Sequence, residues 1–357
     1  MSKNKIKVLF YTDPTAFQIF GGAEIQMLKT KEYLGRTSNQ VKVKFFDMFK
    51  DKLDDYDIIH CFHLRSECLS LCKLAKKLGL KVVLSTIYWP ENRKPLSLKE
   101  ILHKPMLFYS NLKNFKTFTL RNLYPHKEFL EIADVVIPTS MIEAKLLSGK
   151  FKINPKKFFP VPVGVERIFS EAKPDLFVNK YRIKDFVLFV GRIERTKNVL
   201  TLLKACRDLR IQAVIIGHFN PWEHDYYMEC KEIIEQSHNI HFLGFMPQYS
   251  RELVSAYAAA KVFVLPSWHE IPSLSALEAG LAGCNLVITK NGSTKEYFRD
   301  YALYVDPASQ DDLKAKILEA YGSPKDGKLK QHILGNFTWE RTAKETLDAY
   351  RLALKRN

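Results

Sequence analysis

The sequence predicts an α/β protein built from two doubly wound domains, each with a parallel sheet. Short, continuously apolar strands alternate with helical segments through both halves of the chain, and the alternation starts again after an aperiodic stretch at 166–184. Continuous apolar strands are typical of parallel sheets covered by helices on both faces. The length of 357 residues suits two domains, and 46% hydrophobic residues suffice for two cores.

The predicted elements follow in order along the chain. Strand-like runs in the first half are 7–11, 41–46, 58–62, 82–87, 134–139 and 158–163, and helical stretches are 24–34, 67–78 and one starting near Ser140. Strand-like runs in the second half are 186–190, 212–216, 240–243, 262–265, 286–289 and 303–305. Its helical stretches are 200–209, 222–236, 251–259 and 272–281. We therefore predict a first domain over 1–165, a linker over 166–184 and a second domain over 185–335, with ligands at the carboxyl ends of the strands.

The formal net charge of +16 belongs mostly to the first half, because residues 1–170 carry 29 Lys+Arg against 16 Asp+Glu. Much of it lies in 93–127, where cations are interleaved with Phe, Tyr and Leu. Such a segment can lie on an anionic membrane surface. A solvated face is the plainer interpretation, and nucleic acid ranks below both because no known nucleic-acid module surrounds the segment.

Targeting and cysteine patterns favour a cytoplasmic protein. The start of the chain does not resemble a signal peptide, and no apolar run approaches the roughly 18 residues of a membrane span. The six cysteines include no Cys-x-x-Cys pair, so we expect reduced thiols rather than a zinc knuckle or disulfides. We expect a cytoplasmic location, with 93–127 as a route to the inner face of the membrane.

Two glutamates, Glu270 and Glu278, flank the predicted step from strand 262–265 into the next helix. Pro272 suits the first turn of that helix. The first amides of a helix lack partners and attract phosphate, while carboxylates beside them can reach sugar hydroxyls. The plain alternative is that Glu270 neutralises the helix N-terminus and Glu278 is a solvated surface residue.

Cations occupy the equivalent place after strand 186–190. Arg192 and Lys197 follow its carboxyl end and can converge on an anion, the arginine as a planar fork and the lysine as a point charge. Ordinary loop cations are the alternative. Near the start of the chain, Gly21 and Gly22 precede a helix and would let backbone approach a phosphate, although a tight turn explains them equally well.

Several site types are disfavoured by spacing. The chain contains neither Gly-x-Gly-x-x-Gly nor a Gly-x-x-x-x-Gly-Lys-Ser/Thr loop, which counts against a dinucleotide site and a P-loop ATPase. His60 and His63 end a strand at odd spacing, so their rings are expected on opposite faces rather than on one metal. We predict no metal and no cofactor.

Four motifs, in order and spacing, resemble glycosyltransferase family 4, whose members are retaining nucleotide-sugar enzymes of the GT-B fold with two Rossmann-like domains. They are Gly-Gly-x-Glu at 21–24, Gly-Arg-x4-Lys at 191–197, Glu-x7-Glu at 270–278 and Phe-Thr-Trp-Glu-Arg-Thr-Ala from 337. The resemblance covers about 5–355. In such a fold we expect a C-terminal helix, 336–357, that crosses back to the first domain.

The resemblance also implies roles. Arg192 and Lys197 would bind the donor diphosphate, Glu270 the transferred sugar and Glu278 the ribose; we class the first three as catalytic. The remaining donor contacts would be the amides near Leu274 and Ser275, the loop containing Met246 beside the nucleobase, and Gly21 and Gly22 at the phosphates.

Two departures from the family pattern concern the substrates. Tyr88 stands where a histidine is common, and a phenol is a poor base at neutral pH but a good hydrogen-bond donor, so we assign it to the acceptor side. Ile271 and Pro272 replace a glycine-rich loop beside the donor sugar.

The expected function is transfer of a sugar from a UDP-, GDP- or ADP-linked donor to a glycan or lipid-linked acceptor, with retention and without metal, in cell-surface polysaccharide or glycolipid assembly. The alternatives are a sugar-nucleotide epimerase or hydrolase of the same fold and a non-catalytic glycan-binding scaffold.

Overall fold

The computed structural model describes residues 5–13, 15–18, 21–89 and 125–356. Most of the predicted membrane-binding segment 93–127 lies outside the described residues. The chain divides into two compact units: Met1–Pro162 with Ala343–Asn357, and Val163–Thr342. No described helix is both long and apolar enough to cross a bilayer.

The first unit is a five-stranded parallel sheet in the order β2-β1-β3-β4-β5. Its strands are β1 Ile6–Tyr11, β2 Val41–Phe45, β3 Ile58–Phe62, β4 Lys81–Ser85 and β5 Val135–Ile137. Helices cover Gly22–Thr37, Leu69–Lys77, 125–132 and Met141–Phe151, and short 3-10 turns cover Ala16–Gln18, Leu53–Asp55, Ser66–Cys68 and Pro155–Lys157. The central strand β3 is buried at all five positions, including His60 among its four apolar residues.

The second unit is a six-stranded parallel sheet in the order β11-β10-β9-β6-β7-β8. Its strands are β6 Val187–Val190, β7 Ala213–Ile216, β8 Ile240–Gly244, β9 Val262–Leu265, β10 Asn285–Thr289 and β11 Ala302–Val305. Helices cover Asp175–Tyr181, Val199–Leu209, His224–Glu235, Arg251–Ala259, Leu274–Leu281, Thr294–Phe298, Gln310–Gly322 and Lys328–Asn336, with 3-10 turns at Arg167–Glu171, Arg195–Lys197 and Arg299–Tyr301. The strand order reverses between β6 and β9, and in open parallel sheets ligands bind outside the carboxyl ends at such a point.

The predicted α/β class with two doubly wound parallel sheets is confirmed. Three details were wrong. Residues 158–163 form no strand beyond an isolated bridge between Phe158 and Val136, because Pro160 and Pro162 cannot donate to a ladder. The helix after β9 begins at Leu274 with Ser273 as its N-cap, so Pro272 precedes the helix.

The third wrong detail is the linker. Residues 166–184 lie inside the second unit as two helical segments, and Phe169 and Phe177 have no exposed surface within its core. The two helical segments are only five and seven residues long, too short to show a helical period in the sequence. At the C-terminus, the helix Trp339–Lys355 begins in the second unit and ends in the first, where Tyr350 Oη lies 2.7 Å from His60 Nδ1.

All six cysteines are buried and free, as expected for reduced thiols.

Candidate functional site

The candidate site lies in the second unit, in the loops that follow β6 and β9. The loop after β6 is packed tightly against the loop after β7: a Cβ on Gly217 would lie 1.9 Å from the Gly191 carbonyl oxygen. Gly217 also has a positive φ of 151°. Only glycine at position 217 permits this close approach to Gly191. The contact fixes the path of the chain as it leaves β6, and with it the position of Arg192.

Arg192 is oriented by a buried carboxylate two residues away. Its Nε and Nη2 atoms lie 3.3 Å from the two oxygens of Glu194. Glu194 in turn accepts hydrogen bonds from Thr196 Oγ1 at 2.6 Å and Asn220 Nδ2 at 3.4 Å. The Arg192 side chain keeps 41% of its surface exposed, so it can still contact a ligand.

Lys197 and Glu270, predicted from separate motifs, are in direct contact. Lys197 Nζ donates to Glu270 Oε1 at 2.8 Å. The lysine side chain is 25% exposed and the glutamate side chain 5% exposed. Burying a carboxylate is costly unless it is paired, so this ion pair explains how Glu270 is accommodated in a buried place.

Asn198 anchors the lysine loop. Its side-chain amide donates to the carbonyl oxygens of Pro266 and Pro307, at 3.1 and 2.9 Å, and its backbone is left-handed with φ of 55°. Asparagine tolerates that conformation better than most residues. The adjacent Thr196 carbonyl accepts from the Trp268 amide at 3.0 Å. The lysine loop is therefore tied to the glutamate loop by the residues on both sides of Lys197.

Glu270 is also held through its backbone by the loop after β10. Its amide donates to Asn291 O at 3.3 Å, and its carbonyl accepts from the Ser293 amide at 3.0 Å. Gly292 between them has φ of 100°, and a Cβ there would lie 2.0 Å from Glu270 O. The position of Glu270 thus depends on a glycine from a third loop.

The helix Leu274–Leu281 begins beside this pair. Ser273 caps it by accepting from the Ala276 amide at 3.3 Å. The amides of Leu274 and Ser275 precede any intrahelical acceptor and find no other acceptor among the described residues. Both residues are half-buried, so the positive end of the helix stays accessible to an anion.

Glu278 lies within the same helix but is buried, which excludes the interpretation as a solvated surface residue. Its Oε1 accepts from Gln248 Nε2 at 3.0 Å and its Oε2 from Tyr257 Oη at 2.8 Å. Burial raises the pKa of its carboxyl group, while the two hydrogen bonds act in the opposite direction. Each oxygen has one such partner and keeps lone-pair capacity for a further donor.

The loop 244–246 follows β8. Met246 is buried in the core of the second unit, whereas the neighbouring Phe245 is 64% exposed and packs edge-on against His218, with ring centroids 5.8 Å apart. The Gly244 carbonyl is taken by the Gly217 amide at 2.8 Å. Exposed aromatic surface, rather than the Met246 side chain, is what this loop presents.

The remaining predicted residues belong to the first unit. Gly21 caps the helix Gly22–Thr37, and its amide donates to Glu24 Oε2 at 2.8 Å. Gly21 has φ of −156°, so its backbone does not itself require glycine. Tyr88 accepts a 2.5 Å hydrogen bond from Lys150 Nζ and packs edge-on against Phe151.

Within the described ranges, no three His, Cys, Asp or Glu side chains converge on a metal site. Both ring nitrogens of His60 are already occupied, Nδ1 by Tyr350 Oη and Nε2 by Ser85 Oγ at 2.8 Å.

Sequence reasoning missed the residues that hold the predicted ones in place. Glu194 could have been suspected as a partner of the cations, because it lies between Arg192 and Lys197 in the sequence. Asn291-Gly292 could have been suspected as a turn, because Asn-Gly is a common turn pair. Tyr257 and Gln248 carried none, because their contact with Glu278 is made across the fold.

Comparisons with known proteins point to one group of enzymes. Residues 176–336, just under half of the chain, match the family described as Glycosyl transferases group 1. The O-antigen chain mannosyltransferase B of Escherichia coli is 29% identical over 202 residues, covering 53% of this chain and 51% of the relative. A D-inositol 3-phosphate glycosyltransferase of Paenarthrobacter aurescens is 24% identical over 331 residues, covering 85% of this chain and 80% of the relative. The chain spans about half the length of the first curated relatives it matches.

Solved structures share the fold over nearly the whole chain. Anabaena HepE in complex with UDP-glucose has a TM-score of 0.74 at 17% identity, covering 97% of this chain and 99% of that one. Sucrose-phosphate synthase from Thermosynechococcus elongatus has a TM-score of 0.72 at 19% identity, with 98% of both chains covered. The predicted GT-B fold is confirmed by these neighbours.

Proposed function

We propose that the chain is a retaining glycosyltransferase that moves a sugar from a nucleoside-diphosphate donor to an acceptor hydroxyl without a metal ion. The observation that carries this proposal is the 2.8 Å contact between Lys197 and the buried Glu270, beside the free amides of the helix Leu274–Leu281. The match of 176–336 to the group 1 glycosyl transferases supports it independently.

The cations suit a departing diphosphate. As the glycosidic bond breaks, negative charge grows on the phosphate oxygens. Arg192, Lys197 and the helix N-terminus are fixed in advance by Glu194, Glu270 and Ser273, so little reorganisation accompanies that growth. Preorganised groups that bind charge more strongly in the transition state than in the ground state accelerate the step.

The carboxylates suit the sugars of the donor. Glu270 uses one oxygen for Lys197 and has capacity for hydroxyls of the transferred sugar, and Glu278 has capacity for the ribose. Neither is needed as a nucleophile. The leaving phosphate oxygen takes the acceptor proton on the face from which it departs, which retains the configuration.

UDP-glucose and other UDP-sugars are the first donors to test, because the structure of HepE holds UDP-glucose. A role in cell-surface polysaccharide or glycolipid assembly is consistent with the relative named O-antigen chain mannosyltransferase B. The basic segment 93–127 would bring the enzyme to anionic lipid, and loss of liposome binding at high salt tests that part separately.

A thermal-shift screen with UDP, GDP, ADP and CMP, with and without Mg²⁺, tests donor binding. A nucleotide at 100 times its Kd stabilises the folded chain by about 2.7 kcal/mol. The shift should persist without Mg²⁺ and fall in Arg192→Ala and Lys197→Ala, with Lys290→Ala as control. If no nucleotide raises the unfolding temperature of the wild type, the non-catalytic scaffold is favoured. If the products are free monosaccharide or a new nucleotide sugar, the protein is a hydrolase or an epimerase.

A further inference from the structure

We propose that His63, in the first unit, binds a hydroxyl group of the acceptor through its Nε2 atom. The inference rests on the proposed function, because it assigns a residue to the acceptor of the sugar transfer. It is carried by the backbone, the tautomer and the unpaired nitrogen of this histidine.

His63 has a left-handed backbone, with φ of 72°, directly after β3. Its amide donates to the Ser85 carbonyl at 2.9 Å and its carbonyl accepts from the Arg65 amide at 3.0 Å, so the conformation is locked. Left-handed residues other than glycine are uncommon, and such strain is found preferentially at ligand sites. The residue also lies at the carboxyl edge of a parallel sheet, where ligands bind.

The neighbouring threonine determines which ring nitrogen carries the proton. Thr12 Oγ1 lies 3.2 Å from the Phe62 carbonyl oxygen and 3.5 Å from His63 Nδ1. A carbonyl oxygen can only accept, so the single hydroxyl hydrogen of Thr12 points to Phe62. A hydrogen bond across the 3.5 Å contact then requires Thr12 to accept from the ring, with the hydrogen on Nδ1.

The ring is neutral at pH 7, because burial, with Arg65 nearby, lowers the pKa of His63 to about 4. A neutral imidazole with its hydrogen on Nδ1 has a lone pair on Nε2. That atom is shielded from water and has no hydrogen-bond partner in the described part of the chain. His60, on the same strand, has both ring nitrogens occupied.

A buried acceptor without a donor is unfavourable and calls for an explanation. A ligand hydroxyl supplies the missing donor. His63 as a residue is half-buried, but Nε2 itself is closed off in this structure, so binding requires the neighbouring chain to part and admit the hydroxyl.

The surroundings fit a polyhydroxylated ligand. Arg65, with a 50% exposed side chain, contacts the buried Asp13 through Nη1 at 3.3 Å. Asp13 is otherwise satisfied by Thr15, whose amide and hydroxyl donate to it at 2.6 and 2.8 Å. The guanidinium has further donors for neighbouring sugar oxygens.

The role follows from the chemistry. In the transfer, the O–H bond of the acceptor breaks, its oxygen bonds to the sugar carbon, and the proton goes to the leaving phosphate oxygen as the carbon–phosphate-oxygen bond breaks. His63 Nε2 accepts from a second hydroxyl of the acceptor, which leaves the hydrogen of the reacting hydroxyl free for the leaving phosphate oxygen.

Imidazole spectra test the tautomer directly, using protein labelled with ¹⁵N at histidine and His63→Asn to identify the signal. At pH 7 we expect a neutral ring protonated on Nδ1, whose Nε2 signal moves when methyl α-D-mannopyranoside, the glucoside or the galactoside is added. A proton on Nε2, or a signal that none of the three glycosides moves, overturns the proposal.

Variants provide the second test, with the same glycosides as acceptors. Asparagine and glycine both tolerate the left-handed backbone, so the test variants are His63→Asn and His63→Gly. Lys152→Gly controls for the gain in stability when glycine replaces a left-handed residue, here with φ of 58°. His238→Asn controls for replacement of an exposed histidine. We expect an unchanged nucleotide-induced thermal shift and donor hydrolysis, but at least a tenfold loss of transfer. Wild-type transfer by His63→Gly overturns the inference. A wild type that binds no nucleotide, but whose His63 signal responds to a glycoside, overturns the proposed function. Glycoside binding at His63 then stands, and its role in sugar transfer is overturned with the function.

Discussion

Lys197 Nζ lies 2.8 Å from Glu270 Oε1, although the two residues are 73 positions apart in the chain. Each follows the carboxyl end of a strand, and the strands β6 and β9 are neighbours in the sheet. A basic motif and an acidic motif that are separate in sequence therefore form one structural unit, whose parts depend on each other.

Removing the lysine should expose that dependence. In Lys197→Ala the 5% exposed Glu270 carboxylate loses its cation, and we expect the free energy of unfolding to fall by about 1–3 kcal/mol. Urea unfolding measures the change. Transfer activity should fall by about 100-fold or more, because one preorganised electrostatic partner is lost.

A matched control is available in the same unit. Lys290 and Asp306 are also 2.8 Å apart, but their side chains are 47% and 43% exposed. Lys290→Ala should change the free energy of unfolding by less than about 1 kcal/mol, since exposed pairs contribute little. Equal losses in the two variants would contradict the idea that burial makes the Lys197 pair matter.

Gly292 should be irreplaceable for a reason distinct from backbone strain. Its Cβ would lie 2.0 Å from Glu270 O, and its φ is 100°. Gly283 has a similar φ of 90° but nothing within 4 Å of a Cβ. Gly283→Ala should cost about 1–2 kcal/mol from the left-handed backbone, and Gly292→Ala about 1–3 kcal/mol more because the two loops must separate.

Chemical denaturation of both variants, together with nucleotide thermal shifts, separates strain from displacement. Only Gly292→Ala should weaken nucleotide binding, because it moves Glu270 and with it the paired Lys197, the proposed diphosphate ligand. If Gly283→Ala weakens nucleotide binding to the same extent, the loss reflects general destabilisation instead.

The sequence predicted the sheets better than the site because different physics governs them. Runs such as 262–265 are apolar at every position, and a strand buried on both faces needs no other information. The roles of Glu194 and Asn198 depend on carbonyls and cations brought together by the fold. No spacing pattern in the sequence predicts that the Asn198 side chain donates a hydrogen bond to the carbonyl of Pro307, which lies more than 100 positions away. The linker prediction failed because the helical segments that bury Phe169 and Phe177 are only five and seven residues long, too short to show a helical period.

Tyr257 should support Glu278 as a hydrogen-bond donor. Its hydroxyl lies 2.8 Å from Glu278 Oε2, and both groups are buried. Tyr257→Phe leaves only Gln248 on the carboxylate, so we expect a loss of about 1–3 kcal/mol in stability. Because burial already raises the pKa of Glu278, removal of this donor should raise it further.

The comparison is Tyr226→Phe, where the hydroxyl accepts from the Leu200 amide at 2.9 Å and no charge is involved. This variant should lose about 1 kcal/mol, the usual value for a neutral hydrogen bond. Nucleotide affinity should fall in Tyr257→Phe only, measured by titration calorimetry. Unchanged affinity there would argue against Glu278 as a ribose ligand.

Glu143 should make the stability of the first unit depend on pH. Its Oε1 accepts from Thr86 Oγ1 at 2.7 Å and the Tyr88 amide at 2.8 Å, and its Oε2 accepts from the amide and hydroxyl of Thr139, both at 2.8 Å. Burial outweighs these bonds and raises the pKa of Glu143 from 4.5 to about 7. At pH values between about 4.5 and about 7, the folded chain therefore keeps a proton on Glu143 that the unfolded chain has already released.

A raised carboxyl pKa stabilises the folded state most at low pH, and that contribution is lost as pH rises from about 4.5 to about 7. The loss amounts to about 3 kcal/mol for a shift of this size.

Glu143→Gln cannot titrate, and its amide must face the backbone N–H of Tyr88 or of Thr139, which costs about 1–3 kcal/mol. Unfolding free energies at pH 5, 6, 7 and 8 should show the gap between wild type and Glu143→Gln narrowing as pH rises to 7 and constant above it. As a control, the variant Glu67→Gln at an exposed position should show the same dependence of unfolding free energy on pH as the wild type. If the difference in unfolding free energy between wild type and Glu143→Gln instead widens with pH, the hydrogen bonds, rather than burial, set the pKa of Glu143.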